Sequence, residues 1–221
     1  LLSILHSDDE PAKLRAKAAI SFGPVLEQAD LDGFEDPEDV PITEQTFHRI
    51  QEFLRDLYLD TDVPKEVCRR VLESSIRSPQ HWHQDVIRAA YPSDDEDWKM
   101  TAVFAMRWVR GFDDQILEAL ENENEDIHYE AVCAAGNREI AAAWSHVAGL
   151  VTSRETDKPL LLAAIDAVAS IRPQEARVVL IDLTDSDDED IAEAAFEAMA
   201  MAEVLSDDEY DDEDEHYGYI H

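Results

Sequence analysis

Asp8-Asp9-Glu10-Pro11-Ala12-Lys13-Leu14-Arg15-Ala16-Lys17-Ala18-Ala19-Ile20-Ser21-Phe22-Gly23 is the stretch that decides the fold. Counting Leu14 as position zero, small residues fall at plus four (Ala18) and plus seven (Ser21), with apolar Phe22 at plus eight. Those positions share one face of a helix, so the segment predicts a helix with a narrow small-residue stripe that lets another helix approach closely. The pattern returns as Trp98/Ala102/Ala105/Met106, Ile127/Ala131/Ala134/Ala135, Leu160/Ala164/Ala167/Val168 and Ile191/Ala195/Ala198/Met199, with Val67/Val71/Ser74/Ser75 as a degraded copy. Anchors are separated by 53, 31, 29, 33 and 31 residues. A period near thirty is the signature of a repeat array, in which each unit buries its apolar face only against its neighbours.

Outward from the stripes, Ser-Asp-Asp-Glu precedes three anchors, at Ser7 to Glu10, Ser93 to Glu96 and Ser186 to Glu189, and is expected to cap the helices that follow. Upstream apolar patterns predict the outer partner of each hairpin, notably Phe47, Ile50, Phe53, Leu54, Leu57 and Tyr58, and again Ile140, Trp144, Val147 and Val151. Pro79 and Pro159 are expected in first helical turns, and Gly23 and Gly136 where helices end. Leu1 to Leu5 read as the second half of an outer helix, so the natural protein is expected to extend further toward its N-terminus.

The segment from Asp8 to Gly23 resembles HEAT-like repeats, the short bacterial and archaeal kind also met in phycobilisome lyase-type proteins. The resemblance spans residues 1 to 205. It implies an all-α, right-handed α-α superhelix of about six helical hairpins in one elongated domain, whose concave face is lined by the inner helices. The family's basic residue after the anchor is kept as Arg15 and Lys99, and is replaced by Cys68, His128, Leu161 and Ala192. An insertion of about twenty residues falls at 30 to 43, in Leu31-Asp-Gly-Phe-Glu-Asp-Pro-Glu-Asp-Val-Pro41, and reads as a loop. Residues 206 to 221 hold eight acids and no Lys or Arg and form an acidic tail, whose Tyr210, Tyr217, Tyr219 and Ile220 are expected to cover the last repeat.

Charge narrows the choice of partners. Fifty-two carboxylates against eighteen basic side chains give a net charge of −34, so phosphate backbones and anionic membrane surfaces meet repulsion. The expectation is a protein partner, with no nucleic acid and no membrane. The acidity has two readings, a face that attracts a basic partner or a means of staying hydrated in a salty cytoplasm, and five lysines against thirteen arginines fits the second. Two cysteines, Cys68 and Cys133, fit buried thiols in a reduced cytoplasm.

Chemistry-bearing motifs are sparse. His81-Trp82-His83-Gln84-Asp85 gathers metal-ligating side chains, yet on a helix His83 points away from His81 and Asp85, and Trp82 is expected to pack inward. Deoxyhypusine hydroxylase is built on similar repeats with iron held by His-Glu pairs, and no His-Glu dipeptide occurs in this sequence. No phosphate loop, Gly-x-Ser-x-Gly elbow or Cys-x-x-Cys is present, so no cofactor and no catalytic residue are assigned. The reading is a non-enzymatic protein-binding scaffold using the concave face or the inserted loop, with a bilin-lyase-like assisting enzyme as the alternative. Arg15, Arg70, Lys99, Arg107, Arg110 and His128 are the expected partner-facing residues.

Overall fold

The computed structural model describes residues 1–34 and 40–214, with side chains as far as Ser206. Among these residues there is no strand, and the chain is an all-α helical-repeat protein. Six antiparallel-type pairs follow one another: α1 (Leu2–His6) with α2 (Ala12–Ile20), α4 (Glu44–Leu59) with α5 (Lys65–Ser75), α6 (His81–Ala90) with α7 (Glu96–Ala105), α8 (Asp113–Ala119) with α9 (Glu125–Asn137), α10 (Trp144–Thr152) with α11 (Lys158–Ile171), and α12 (Pro173–Leu180) with α13 (Glu189–Asp214). The second member of each pair carries the stripe. The thirteenth helix, α3 (Gly23–Asp32), has no partner in this scheme. It occupies much of the excess between the first two anchors, so the expected loop at 30 to 43 is in part a helix end.

The chain divides into two compact units, Leu1–Val109 and Arg110–His221. In the first, α5 packs against α2 and then α7; in the second, α11 packs against α9 and then α13. The plus-four position is buried in every copy, as Ala18, Val71, Ala102, Ala131, Ala164 and Ala195. Position plus five, absent from the sequence signature, is as deeply buried in five copies: Ala19, Leu72, Val103, Val132 and Ile165. A second residue row is needed because each inner helix touches an outer helix and a neighbouring inner helix at once. In the last copy the same register places Phe196 at 59% exposure.

Local chemistry departs from expectation at several ends. Ser93 and Asp95 cap α7, with the Asp95 carboxylate accepting from the Asp97 amide, and Ser186 and Asp188 accept amides in the same way ahead of α13. The first Ser-Asp-Asp-Glu does not cap α2: Ser7 closes α1 and Pro11 precedes α2. Asp8 turns instead to Arg15. Gly23 opens α3 rather than ending α2, Pro79 lies two residues ahead of α6, and Pro159 sits in the first turn of α11 as expected. Gly136 lies one residue inside the end of α9, where a Cβ would stand 2.8 Å from the Ala167 Cα. It is there because α9 and α11 approach that closely. Past it, Glu139 takes φ of 52°, and the Ile140 amide reaches back to the Ala135 carbonyl at 3.0 Å, closing the helix in a left-handed cap that glycine usually supplies.

In the first unit the inserted segment is tied down at its described ends. Phe34 rests on the Phe47 ring at 5.3 Å, and Val40 and Ile42 pack on the core. The tail residues Tyr217, Tyr219 and Ile220, and the side chain of Tyr210, lie outside the described residues.

Candidate functional site

Helix α5 and the turn after it bring a basic and aromatic group to the first unit. Arg70, Ser74 and Arg77 lie four and then three residues apart, so they share a face. Arg77 Nη1 pairs with Glu27 Oε2 of α3 at 2.5 Å. Its guanidinium lies 5.3 Å from the Trp108 ring and 5.9 Å from the Phe104 ring, and the Arg107 guanidinium stands 5.1 Å from the Phe104 ring. Trp108 Nε1 donates to Glu27 Oε1 at 3.2 Å, and the Phe104 and Trp108 rings meet at 4.9 Å. Gly23 makes room: a Cβ there would meet Arg77 Cδ at 2.8 Å. Glu27 thus holds both an arginine and a tryptophan, leaving Phe104, Arg107 and Trp108 all half-buried rather than enclosed. Half-buried Trp and Arg side chains held in fixed positions are the usual energetic anchors of protein interfaces.

The six residues singled out from the sequence do not form one ladder. Arg15 is buried, donating from Nε to the Leu5 carbonyl at 3.0 Å and pairing through Nη1 with Asp8 at 2.9 Å, so it fastens the first hairpin. Arg70 is exposed and pairs with Glu73 of its own helix. Lys99 lies 5.9 Å from the Tyr91 ring. Arg107 belongs to the aromatic group above, Arg110 is exposed at the start of the second unit, and His128 faces His146 of α10.

Other polar groups do structural work. Lys65 at the start of α5 reaches Asp95 Oδ2 at 2.5 Å and Asp97 Oδ2 at 3.1 Å, thirty and thirty-two residues on. Lys158 at the start of α11 reaches Asp188 at 2.7 Å and Asp190 at 2.6 Å with the same offsets. The lysine ties one repeat to the acidic cap of the next, and its hydrogen bonds hold the Asp95, Asp97 and Asp188 carboxyls below their usual range and the lysines above theirs. The lysine falls two residues before an anchor and its carboxylates three and one before the next, a spacing that sequence reasoning missed because these carboxylates do not stand out among fifty-two.

His83, rather than Trp82, takes the inward position of the His81–Asp85 segment. It is fully buried, with Nε2 3.0 Å from Ser75 Oγ and Nδ1 accepting the Gln80 amide at 2.9 Å, and desolvation lowers its imidazole to about 4. Trp82 stacks partly exposed on Tyr58 at 5.3 Å. Among the described residues no group of three or more His, Cys, Asp or Glu side chains converges as a metal site, and no helix is long and apolar enough to cross a membrane. Cys68 is buried, Cys133 half-buried, and neither forms a disulfide. Burial, aided by Asp60, pushes the Cys68 thiol up, toward its unreactive form.

In the second unit a cleft of about 750 Å³ is lined by Glu125, Asp126, His128, Glu155 and Asp157 over an apolar floor that includes Leu150 and Leu160.

No protein-family model matches the chain, and no curated protein matches it. Among solved structures it is similar to the crystal structure of an engineered protein at 19% identity and a TM-score of 0.50, over 92% of this chain and 95% of that one. It is also similar to human deoxyhypusine hydroxylase in complex with glycerol, at 16% identity and a TM-score of 0.47, over 91% of this chain and 72% of that one. At such identities the likeness to the engineered protein is one of fold.

Proposed function

We propose that this chain is a non-enzymatic protein-interaction module of HEAT type, working in the cytoplasm, that takes a protein partner on the inner-helix side of its first unit. The observation that carries the reading is the group of Arg77, Phe104, Arg107 and Trp108, preset by Glu27 and half-open to solvent. In a chain of net charge −34 it is a local island of aromatic and basic side chains, suited to a partner segment that offers a carboxylate beside an apolar residue. This reading takes the concave-face mode of binding rather than the inserted loop, because the group stands on the ends of the inner helices α5 and α7. The alternative of a bilin-lyase-like enzyme calls for a deep apolar groove beside a lone acid or histidine, and the cleft at His128 carries four carboxylates instead.

The test is capture from lysate of the source cells at native ionic strength, with wild type, Trp108→Ala and an exposed control, Val178→Ser, compared quantitatively. One protein retained by wild type and Val178→Ser and lost with Trp108→Ala supports the reading. Equal retention by all three variants removes this surface from consideration.

A further inference from the structure

The contact between α9 and α10 holds a pair of histidines in an arrangement the proposed function does not use. His128 Nε2 and His146 Nε2 are 2.9 Å apart, the rings are nearly perpendicular at 81°, and His146 Nδ1 is 3.2 Å from Glu121 Oε1. The ring centroids are 5.1 Å apart, close to the N···N distance plus one ring radius on each side, so the two nitrogens meet almost head-on. A transition metal between head-on imidazoles needs about 2.0–2.1 Å to each nitrogen, a separation near 4 Å that this gap does not provide. A hydrogen fits, since N–H···N contacts fall in about the range of 2.7–3.2 Å.

We propose that His128 and His146 share a single hydrogen between their Nε2 atoms and form an acid-released latch between α9 and α10. With Glu121 accepting from His146 Nδ1, the neutral His146 offers a lone pair at Nε2, and His128 Nε2 supplies the hydrogen. One further proton is accommodated on the outer nitrogen of His128 without disturbing the shared bond. A second is not, because each Nε2 would then carry a hydrogen pointed into the same 2.9 Å gap, between two positive rings. Glu121 and Asp157 act on the pair, and Glu125, Asp126 and Glu155 line the cleft beside His128. Glu121 lies in the turn after α8, Glu125 and Asp126 in the first turn of α9, Glu155 in the turn after α10, and Asp157 at the cap of α11. Burial, and then His146, lower His128 below the ordinary imidazole value, against the smaller opposing pull of Glu121 and Asp157. Release of the pair moves a wall of the cleft that His128 lines, so the shape of that cleft becomes acid-sensitive.

The test is histidine NMR between pH 8 and 4.5, with amide exchange of α9 and α10 followed in parallel, on wild type and His146→Gln. Wild type is expected to show two coupled steps separated by more than about one pH unit, with exchange in α9 and α10 rising about tenfold through the second. His146→Gln keeps an acceptor for His128 but cannot take a second proton, so His128 should titrate once and the acid rise in exchange should vanish. Coincident, independent titrations in wild type, or an unchanged acid rise in His146→Gln, overturns the latch. If His146→Gln is unfolded at pH 7.5 by circular dichroism, His128→Gln gives the same comparison read from His146, and the wild-type titration decides on its own.

Discussion

The α5–α7 and α9–α11 contacts occupy the same register of the repeat and are sealed by opposite means. Between α5 and α7 the interior is polar: Arg69 Nε donates to Thr101 Oγ1 at 2.9 Å, Thr101 donates to Glu73 Oε1 at 3.2 Å, and Arg69 Nη1 pairs with Asp97 at 2.7 Å. Arg69, Glu73 and Thr101 are all buried, and Arg69 Nη2 has no hydrogen bond, lying 4.0 Å from Glu73 Oε1. Between α9 and α11 the backbones nearly touch, at Gly136 over Ala167. A polar seal sets register through directed bonds and is costly to leave half-made; a small-residue seal sets distance and tolerates no added volume. The degraded stripe at Val67/Val71/Ser74/Ser75 is not itself the polar seal: the seal is made by Arg69 and Glu73, which lie off the stripe, while Ser75 turns to the Leu72 carbonyl and His83.

Substitutions that break one seal should leave the other untouched. The largest effect is expected from Glu73→Ala, which strands the buried Arg69 with only the half-exposed Asp97 opposite, at a cost of about 3 kcal/mol read by denaturant unfolding of the first unit. A comparable loss, about 3 kcal/mol, should come from acid alone through His83. The folded chain refuses a proton that the unfolded chain accepts, so stability falls as pH drops from 6.5 to about 4 and is level below. His83→Gln should flatten that limb in the first unit while leaving any acid response of the second unit in place.

Gly136→Ala is expected to cost about 2 kcal/mol, confined to the second unit, because the new methyl meets backbone at 2.8 Å. Adding Ala167→Gly should recover only part of this, as the Ala167 Cα remains in the way. Glu139→Gly, relieving a left-handed residue, should stabilise by about 0.5–1 kcal/mol in thermal unfolding. The smallest change belongs to Lys65→Ala and Lys158→Ala, whose exposed pairs are screened; any loss seen in dilute buffer should disappear in molar salt.

Much of this fold is written in the stripe. Ala131, Ala134 and Ala135 are buried as their spacing requires, and the outer helix from Phe47 to Tyr58 forms as its periodicity predicts. What the stripe leaves out is the second buried row at plus five, which reads as ordinary apolar content until the two-sided packing of an inner helix is seen. The insertion was legible as extra length, but Gly23 read as a helix end where it opens a helix. The aromatic group was half legible. Arg107 stood out as a charge and its neighbours Phe104 and Trp108 as ordinary apolar content, whereas Glu27, eighty residues back in sequence, and Arg77, thirty residues back, are brought to them by the stacking of α3, α5 and α7. Arg15 looked surface-bound because basic residues on helices usually are, and it is buried because the short first hairpin lets it reach the Leu5 carbonyl.

The most direct test is hydrogen exchange on the complex between this chain and the protein it retains from lysate, compared with the chain alone. The account predicts slowed exchange over residues 72 to 80 and 102 to 109, where the turn after α5 and the end of α7 present Arg77, Phe104, Arg107 and Trp108. Slowed exchange confined to residues 125 to 130 and 150 to 160 would contradict it, and would move the binding surface to the acidic cleft of the second unit.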